Sequence, residues 1–317
     1  MSIIKIKEII DQCLINNPCS IRLFFDEPMR SHTTFKVGGN ADCLVRPIGE
    51  GFTAFCIELL NNANAEKIPV FILGGGANIV VSDKGIRGIV IDMNGWKDDV
   101  CRTEKGKIIF KSGTKIDDAA IIAGNASLCG LEFLSGMPGT IGGAVWMNAR
   151  CYGSEVADVL GWVEIIVKEK NKYVIKKINV KKKDFDYKIS PFQKMDCIII
   201  KAAFKLKDGD KEEIFAEMEE IKEDRQKKGH YDFPCAGSVF KNNKDFGKPV
   251  GKIIDELGLK GFQIGEAQVA PFHGNIIINT GNAKAADIRI LTEDIAKKVK
   301  DAKGFVLEPE IIFVGEW

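Results

Sequence analysis

The spacing of hydrophobic and polar positions predicts which parts of the chain are helices and which are strands. Apolar residues recur at helical spacing over 3–15, 50–63, 115–129, 210–228, 249–257 and 283–300. Short apolar or alternating runs predict strands at 41–46, 70–73, 89–91, 107–112, 162–167, 173–178, 197–206, 275–279 and 310–314. The strand–helix–strand order near the start is typical of a compact α+β unit.

Two glycine-rich stretches interrupt this pattern. The stretch 131–148 carries no charge from Leu134 onward and holds Thr140 among four glycines within eight residues. A second cluster, 74–76, follows an apolar run. Glycine lets bare backbone N–H groups approach an anion, so two such loops suit a large cofactor with a central pyrophosphate. The alternative for either stretch is a tight buried turn with glycines for packing. Neither stretch has the spacing of a Rossmann fingerprint or the ending of a P-loop.

Composition narrows the class of protein. At 317 residues the chain predicts about two domains, and 45% hydrophobic with 28% charged residues is ordinary for a globular enzyme. The net charge of +1 gives no reason to expect nucleic acid or an anionic membrane, and the lysines of 176–183 are expected to be a solvated hairpin rim. No run is long enough for a membrane span. We therefore expect neither a nucleic-acid partner nor membrane insertion.

Cysteine and histidine usage points to the cytoplasm and to no metal. The nine cysteines are scattered without a CxxC pair, and the N-terminus carries charged residues where a signal peptide would not. That distribution indicates reduced thiols rather than disulfides or zinc. The three histidines are too few and too spread for a His-rich metal site. We expect a cytoplasmic protein and a monomer.

Six blocks in order carry a family resemblance. They are 33–39 (TTFKVGG), 73–78 (LGGGAN), 130–144 (GLEFLSGMPGTIGGA), 236–242 (AGSVFKN), 258–261 (GLKG) and 307–310 (LEPE). Together they span nearly the whole chain, which resembles the UDP-N-acetylenolpyruvoylglucosamine reductases, flavoenzymes of peptidoglycan precursor synthesis. The chain is more similar to the shorter of the two types in that family, which lacks an insertion with a tyrosine.

The resemblance implies a fold and a division into domains. It implies the two-subdomain FAD-binding fold of the vanillyl-alcohol-oxidase (PCMH) type, followed by a C-terminal α+β substrate domain. On the sequence we place an N-terminal docking helix at 1–29, the FAD-binding domain at 30–207 and the substrate domain at 208–317. The two α+β subdomains are placed at about 30–95 and 96–207.

The resemblance also implies which residues bind non-covalent FAD. The first loop is expected to bind the pyrophosphate and its surroundings, through Gly74, Gly75, Gly76, Ala77 and Asn78. The central stretch is expected to line the other side of the pyrophosphate and the approach to the flavin ring, through Gly136, Gly139, Thr140, Gly142 and Gly143.

The implied reaction is the reduction of the enolpyruvyl ether of a UDP-sugar with NADPH as co-substrate. Hydride reaches the CH2 carbon, negative charge passes into the carboxylate as an enolate, and a proton must follow. The resemblance makes Ser238 the proton donor, Glu310 an acid beside the enolate and Lys188 a stabilising cation. Glu308 stays an alternative to Glu310, because strand alternation puts the two on one face. Substrate contacts are expected from Tyr187, Arg225, Lys228, Lys241 and Asn242.

The chain departs from the family at two arginines. Lys188 stands where an arginine is expected, and Ile312 occupies the position of another. Lysine keeps the charge but loses the planar fork, at a cost of about 1–3 kcal/mol, or roughly ten- to a hundredfold in rate. These two departures support one alternative, a binding protein with weakened or lost turnover. A second alternative, independent of them, is another FAD oxidoreductase of the same superfamily. The match of the last third of the chain argues against the second alternative.

Overall fold

Helices and strands are mixed along the chain, as the spacing predicted. In a computed structural model of the chain, residues 3–97, 102–104 and 107–317 are described, 102–104 by their backbone alone. The α-helices are Ile3–Asn16, Phe52–Ala65, Ile116–Asn125, Ile141–Trp146, Val156–Val159, Lys211–Lys227, Val250–Glu256 and Ala285–Lys303. Among the described residues, no helix has the length and apolar character needed to cross a bilayer.

The strands are short and many. They are Ile21–Pro28, Asn40–Pro47, Val70–Leu73, Ile79–Val81, Ile86–Asp92, Arg102–Glu104, Lys107–Lys111, Leu128–Cys129, Arg150–Cys151, Ser154–Glu155, Leu160–Glu169, Lys172–Asn179, Cys197–Lys205, Lys207–Asp208, Cys235–Ser238, Gln263–Ile264, Ala267–Val269, Ile276–Asn279 and Ile312–Val314.

The chain forms two compact units, each assembled from separate segments. The first contains Met1–Phe25, Asp42–Gly75 and Gly88–Glu223, and the second contains Asp26–Ala41, Gly76–Arg87 and Asp224–Trp317. The boundaries of these units differ from the domain boundaries placed on the sequence after residues 29, 95 and 207. The difference arises because two short segments, Asp26–Ala41 and Gly76–Arg87, belong to the same unit as the C-terminal part.

The two larger sheets of the first unit have helices packed against them. One sheet has the strand order Lys172–Asn179, Leu160–Glu169, Cys197–Lys205, Lys107–Lys111, Arg102–Glu104, all antiparallel. Alanines of helix Ile116–Asn125 pack in its core, together with Ala144 and Val145 of the central glycine stretch. The other sheet lies mainly in this unit and has the order Ile21–Pro28, Asn40–Pro47, Ile86–Asp92, Val70–Leu73. Helices Ile3–Asn16 and Phe52–Ala65 share its core.

The second unit is built on an antiparallel sheet and a parallel ladder. Its sheet has the order Cys235–Ser238, Ile276–Asn279, Ala267–Val269, Gln263–Ile264, and helix Ala285–Lys303 buries its apolar stripe in the same core. The ladder joins Ile79–Val81 in parallel to Ile312–Val314. Phe35, Val37 and Val80 are buried in the same core, so distant parts of the sequence complete one unit.

The helix predicted over 115–129 is shorter in the structure. It ends at Asn125, and Ser127 adopts a left-handed φ of +54°, which terminates a helix. The next residues, Leu128–Cys129, form a strand that pairs with Lys207–Asp208. The position chosen as the start of the substrate domain therefore lies in a ladder of the first unit. Cys101, one of the nine cysteines, lies outside the described residues.

Candidate active site

The two glycine loops predicted from the sequence meet in the first unit. A Cβ atom placed on Gly75 would lie 2.5 Å from the Cα of Gly139, and one placed on Gly74 would lie 2.7 Å from the Oγ1 of Thr140. Real Cβ atoms essentially never approach another atom within 3.0 Å. At Gly75 the first loop therefore touches the backbone of the central stretch, and at Gly74 it touches the side chain of Thr140. These close contacts require glycine at positions 74 and 75.

Backbone donors are available where the loops meet. Within the described part of the chain, the N–H groups of Gly74, Gly75 and Gly139 donate to no protein acceptor. Consecutive N–H groups without an acceptor suit an anionic ligand. Gly143 also leaves space beside the loops, because the nearest atom to a Cβ there, outside its own helix backbone, is the Oγ1 of Thr140 at 3.6 Å. The residues at this contact fit a cofactor with a pyrophosphate.

Other residues of the central stretch are occupied in holding the loop. The N–H of Gly142 donates to the carbonyl of Ser112 over 2.8 Å, and the N–H of Gly136 donates to the carboxylate of Asp117 over 2.9 Å. Thr140 caps helix Ile141–Trp146, its hydroxyl accepting from the N–H of Gly143. The ten residues predicted to bind FAD thus differ in what they contact. The N–H groups of Gly136 and Gly142 donate to other groups of the protein.

The first glycine loop continues into the second unit. At Gly76 a Cβ would lie 2.0 Å from the carbonyl oxygen of His32, and φ is +61°, so only glycine fits. The side-chain amide of Asn78 donates to the carbonyl of Glu310 over 2.9 Å, and the carbonyl of Asn78 accepts from the N–H of Ile312 over 3.0 Å. The end of the loop is therefore bonded directly to the segment that carries Glu310.

Tyr187 and Lys188 occupy the tip of a two-residue turn in the first unit. The flanking Asp186 and Ile189 exchange backbone hydrogen bonds of 3.1 and 3.0 Å, and Lys188 adopts a left-handed φ of +58°. The turn is tied to the end of the central glycine stretch, because the side-chain amide of Asn148 donates to the carbonyl of Asp186 over 2.9 Å. One stretch of sequence thus holds both the glycine contact and the turn with Lys188.

Arg150 lies beside this turn and was missed by the sequence reasoning. Its guanidinium carbon lies 5.7 Å from the ring centre of Tyr187, within the range of a cation–π contact. Its ion-pair contact with Glu155 is long, at 3.9 Å. The available signal was that Arg150 is the first charged residue after the uncharged part of the central stretch. The planar guanidinium of Arg150 therefore contacts the residue that precedes Lys188 in the sequence.

Ser238 and Glu310 lie on neighbouring segments of the second unit. The N–H of Glu310 donates to the carbonyl of Val239 over 2.7 Å, and the N–H of Lys241 donates to the carbonyl of Glu308 over 2.9 Å. Glu310 is buried at 8% exposure, whereas the Glu308 side chain is 69% exposed and pairs with Lys241 over 2.5 Å. Burial separates the two glutamates that sequence alternation left equivalent.

The remaining predicted substrate residues lie in the second unit and mostly contact protein groups. The guanidinium of Arg225 donates to the hydroxyl of Tyr231 over 3.2 Å, and the ammonium of Lys228 donates to Asp224 over 2.6 Å. The side-chain oxygen of Asn242 accepts from the N–H of Val250 over 2.8 Å, at the start of a helix.

A histidine pair lies close to these cations. The rings of His230 and His273 are 6.4 Å apart between centres. Burial first, and the positive charge of Arg225 second, lower the pKa of His230 from 6.5 to about 4. Burial also lowers the pKa of His273, whose Nδ1 accepts from the N–H of Asn275 over 3.1 Å. Both rings are neutral at neutral pH.

The fold and the glycine contact define a flavoprotein. The model of the FAD binding domain family matches residues 53–171, which include the first glycine loop and the central stretch. The predicted α+β fold with an FAD-binding part and a C-terminal substrate part is confirmed, as is FAD as the cofactor. The model of the UDP-N-acetylenolpyruvoylglucosamine reductase C-terminal domain matches residues 229–314.

Relatives along nearly the whole chain narrow the class to one family. The chain is 42% identical to UDP-N-acetylenolpyruvoylglucosamine reductase of Treponema denticola, over 92% of this chain and 94% of the relative. It is 42% identical to the same-named protein of Caldanaerobacter subterraneus, over 93% and 94%. The crystal structure of the Thermus caldophilus reductase aligns with a TM-score of 0.71 at 31% identity, over 93% of this chain and all of that one. The chain belongs to the UDP-N-acetylenolpyruvoylglucosamine reductase family, and its identification as an FAD-dependent oxidoreductase is confirmed.

Proposed function

We propose that the chain reduces UDP-N-acetylglucosamine enolpyruvate to UDP-N-acetylmuramate with NADPH, a step of peptidoglycan precursor synthesis. The observation that carries the proposal is the pairing of the Ser238 and Glu310 segments through the carbonyl of Val239 in the second unit. That pairing brings a hydroxyl and a buried carboxyl, the two groups expected to handle a proton, onto adjacent backbone. Bound FAD supplies the hydride, which it obtains from the nicotinamide co-substrate.

The loop contact is proposed to hold the cofactor. The N–H groups of Gly74, Gly75 and Gly139 donate to the pyrophosphate, while Gly136, Thr140 and Gly142 keep the central stretch in place. Ala77 and Gly143 line the cofactor without offering a side chain that would obstruct it. Asn78 belongs to this loop but acts by holding the Glu310 segment, because its side chain and its carbonyl both bond to 310–312.

The chain's charged residues are proposed to bind the anionic groups of the substrate. Lys188 stabilises the enolate, and Arg150 is a second cation beside the same turn, in contact with the ring of Tyr187. A guanidinium near this turn offsets part of what a lysine at position 188 loses in planar hydrogen bonding. Arg225, Lys228 and Lys241 neutralise the diphosphate, each exchanging its present protein partner for a phosphate oxygen, and Asn242 contacts the sugar.

Protonation of the enolate is proposed to end the reaction. Hydride converts the substrate CH2 to CH3, the electron pair of the double bond passes into the carboxylate, and the Ser238 hydroxyl delivers a proton to the adjacent carbon. Glu310 acts as a hydrogen-bonding acid beside the same carboxylate. A positioned proton donor of this kind contributes roughly 10²–10⁴-fold in rate.

Separating the two half-reactions tests this function. The FAD-loaded protein is reduced with NADPH without oxygen, and UDP-N-acetylglucosamine enolpyruvate is then added while the flavin absorbance is followed. We expect rapid reoxidation in the wild type and in Ser20→Ala, a control at an exposed serine. In Ser238→Ala, reduction by NADPH is kept and reoxidation falls at least about a hundredfold. Wild-type protein that is reduced but never reoxidised by this substrate contradicts the proposal and favours a chain that has lost turnover.

A further inference from the structure

The side chain of Asn275 holds the backbone that follows Ser238. Asn275 is buried at 3% exposure. Its amide nitrogen donates to the carbonyl of Phe240 over 2.8 Å, and its side-chain oxygen accepts from the N–H of Phe240 over 3.0 Å. Its own carbonyl accepts from the N–H of Val239 over 2.8 Å. Because these bonds commit both ends of the buried side chain to the protein, Asn275 is placed to hold backbone rather than to bind substrate.

The strand Cys235–Ser238, which leads into the residues held by Asn275, contains a β-bulge. Cys235 lies opposite Ile278 and Ser238 lies opposite Ile276, so three steps on one strand match two on the other. Gly237 adopts a left-handed φ of +71° inside this bulge. A bulge turns the side chain that follows it and leaves local pairing weaker. The direction of the Ser238 hydroxyl therefore depends on what fixes the residues immediately after it.

Both edges of that segment are fixed, each by a different partner. Asn275 holds Val239 and Phe240 on one side, and the N–H of Glu310 donates to the carbonyl of Val239 on the other. We infer that Asn275 is a positioning residue for the proton transfer, which sets the geometry of Ser238 relative to Glu310 by clamping Val239 and Phe240. The inference rests on the proposed role of Ser238 as proton donor.

The expected effect follows from the geometry of proton transfer. Asn275→Ala removes both side-chain bonds to Phe240 and leaves two buried backbone groups without partners. A displacement of about 1 Å at a reacting group reduces rate roughly a hundredfold. Asn275→Ser replaces the amide by a shorter, neutral hydroxyl that keeps at most one of the two bonds and places no charge in the buried site, so its effect is smaller. If Asn275→Ala does not fold, Asn275→Ser carries the test.

Asn279 supplies a matched control at the far end of the strand Ile276–Asn279, which begins directly after Asn275. It is also 3% exposed, and within the described part of the chain its side chain bonds to backbone groups of Phe35, Gly281 and Ala283. Asn279→Ala therefore removes equivalent buried bonds away from Ser238. We expect similar losses of thermal stability in Asn275→Ala and Asn279→Ala. Only the former should slow substrate-dependent reoxidation of NADPH-reduced protein, by roughly ten- to a hundredfold in rate and with KM little changed.

A double-mutant cycle separates positioning from a general loss of structure. If Asn275 acts through Ser238, Asn275→Ala adds almost nothing to the slow reoxidation of Ser238→Ala. Equal slowing in both backgrounds, equal slowing by Asn279→Ala, or unchanged reoxidation in Asn275→Ala each overturns the inference. Normal reoxidation in Ser238→Ala overturns the proposed function instead, so the two failures are distinguishable.

Discussion

The contact between the two glycine loops predicts a specific defect for Gly75→Ala. The new Cβ would lie 2.5 Å from the Cα of Gly139, 3.0 Å from its carbonyl carbon and 3.2 Å from its nitrogen. All three are backbone atoms, so no side-chain rotation relieves the overlap. The loops must separate by about 1 Å to reach an ordinary contact, and overpacking of this kind costs about 1–3 kcal/mol.

This overlap is expected to weaken FAD binding as well as to lower the stability of the fold. The backbone donors of Gly74, Gly75 and Gly139 lie on the two segments forced apart, so a cofactor that needs all of them loses affinity. A cost of 1–3 kcal/mol corresponds to a weakening of FAD binding by roughly five- to 150-fold. We expect Gly75→Ala to release FAD on dilution and to unfold at a lower temperature when loaded.

The assay is titration of FAD-stripped protein with FAD, followed by flavin fluorescence, together with thermal unfolding of each loaded variant. Gly49→Ala is the control for adding a methyl group, because the nearest atom there is the Cβ of Ser20 at 3.8 Å. Gly143→Ala separates two causes: the protein leaves room for its methyl group, so any loss of FAD in that variant reports a clash with the cofactor itself.

Wild-type FAD affinity and wild-type unfolding temperature in Gly75→Ala refute the reasoning. That result means that the loops separate freely and that their contact contributes nothing to binding. A lower unfolding temperature with unchanged FAD affinity refutes only the assignment of the donors to the cofactor.

Three further predictions concern the catalytic groups and acid stability. Glu310→Gln should slow reoxidation roughly a hundredfold, whereas Glu308→Gln should retain kcat and change KM, because only the first is buried; equal losses contradict this division. Lys188→Arg should raise kcat/KM roughly tenfold by restoring a planar fork, and an unchanged value means that the lysine is sufficient. As the pH falls from 6.5 to 4, the free energy of unfolding measured with urea should fall by roughly 1–3 kcal/mol more than in His230→Gln, since the unfolded histidine binds its proton near pH 6.5 and the half-buried folded one near pH 4; parallel curves for both proteins contradict it.

Helices and strands with a strong periodic pattern were predictable, because the local spacing of their apolar residues indicates which face is buried. Helix Ala285–Lys303 buries Ile288, Leu291, Ile295 and Val299 as its spacing predicted. The stretch 131–148 was predicted as a glycine-rich loop or turn, and the helix that it contains, Ile141–Trp146, was not predicted. That short helix has two glycines in its first turn and depends on the cap from Thr140, so propensity alone does not indicate it.

The pairing of strands that are far apart in the sequence could not be predicted from the spacing of apolar residues. Nothing in the composition of 79–81 indicates a parallel partner at 312–314, and this pairing is what places residues 76–87 in the second unit. The site showed the same division. The glycines and Ser238 belong to recognisable blocks. The contact of Arg150 with Tyr187 and the bonds of Asn275 to Phe240 exist only in the folded chain, so the sequence did not indicate what these two residues do.

The parallel ladder also constrains the order in which the protein can fold during synthesis. Ile79 must wait for Ile312, about 230 residues later, before its strand has a partner. At about 5–20 residues per second, the ribosome needs roughly 10–50 s to supply it. For much of that interval Phe35, Val37 and Val80 lack core partners, because the other members of their core lie between residues 236 and 311. The second unit is therefore completed only after the strand Ile312–Val314 has left the ribosome.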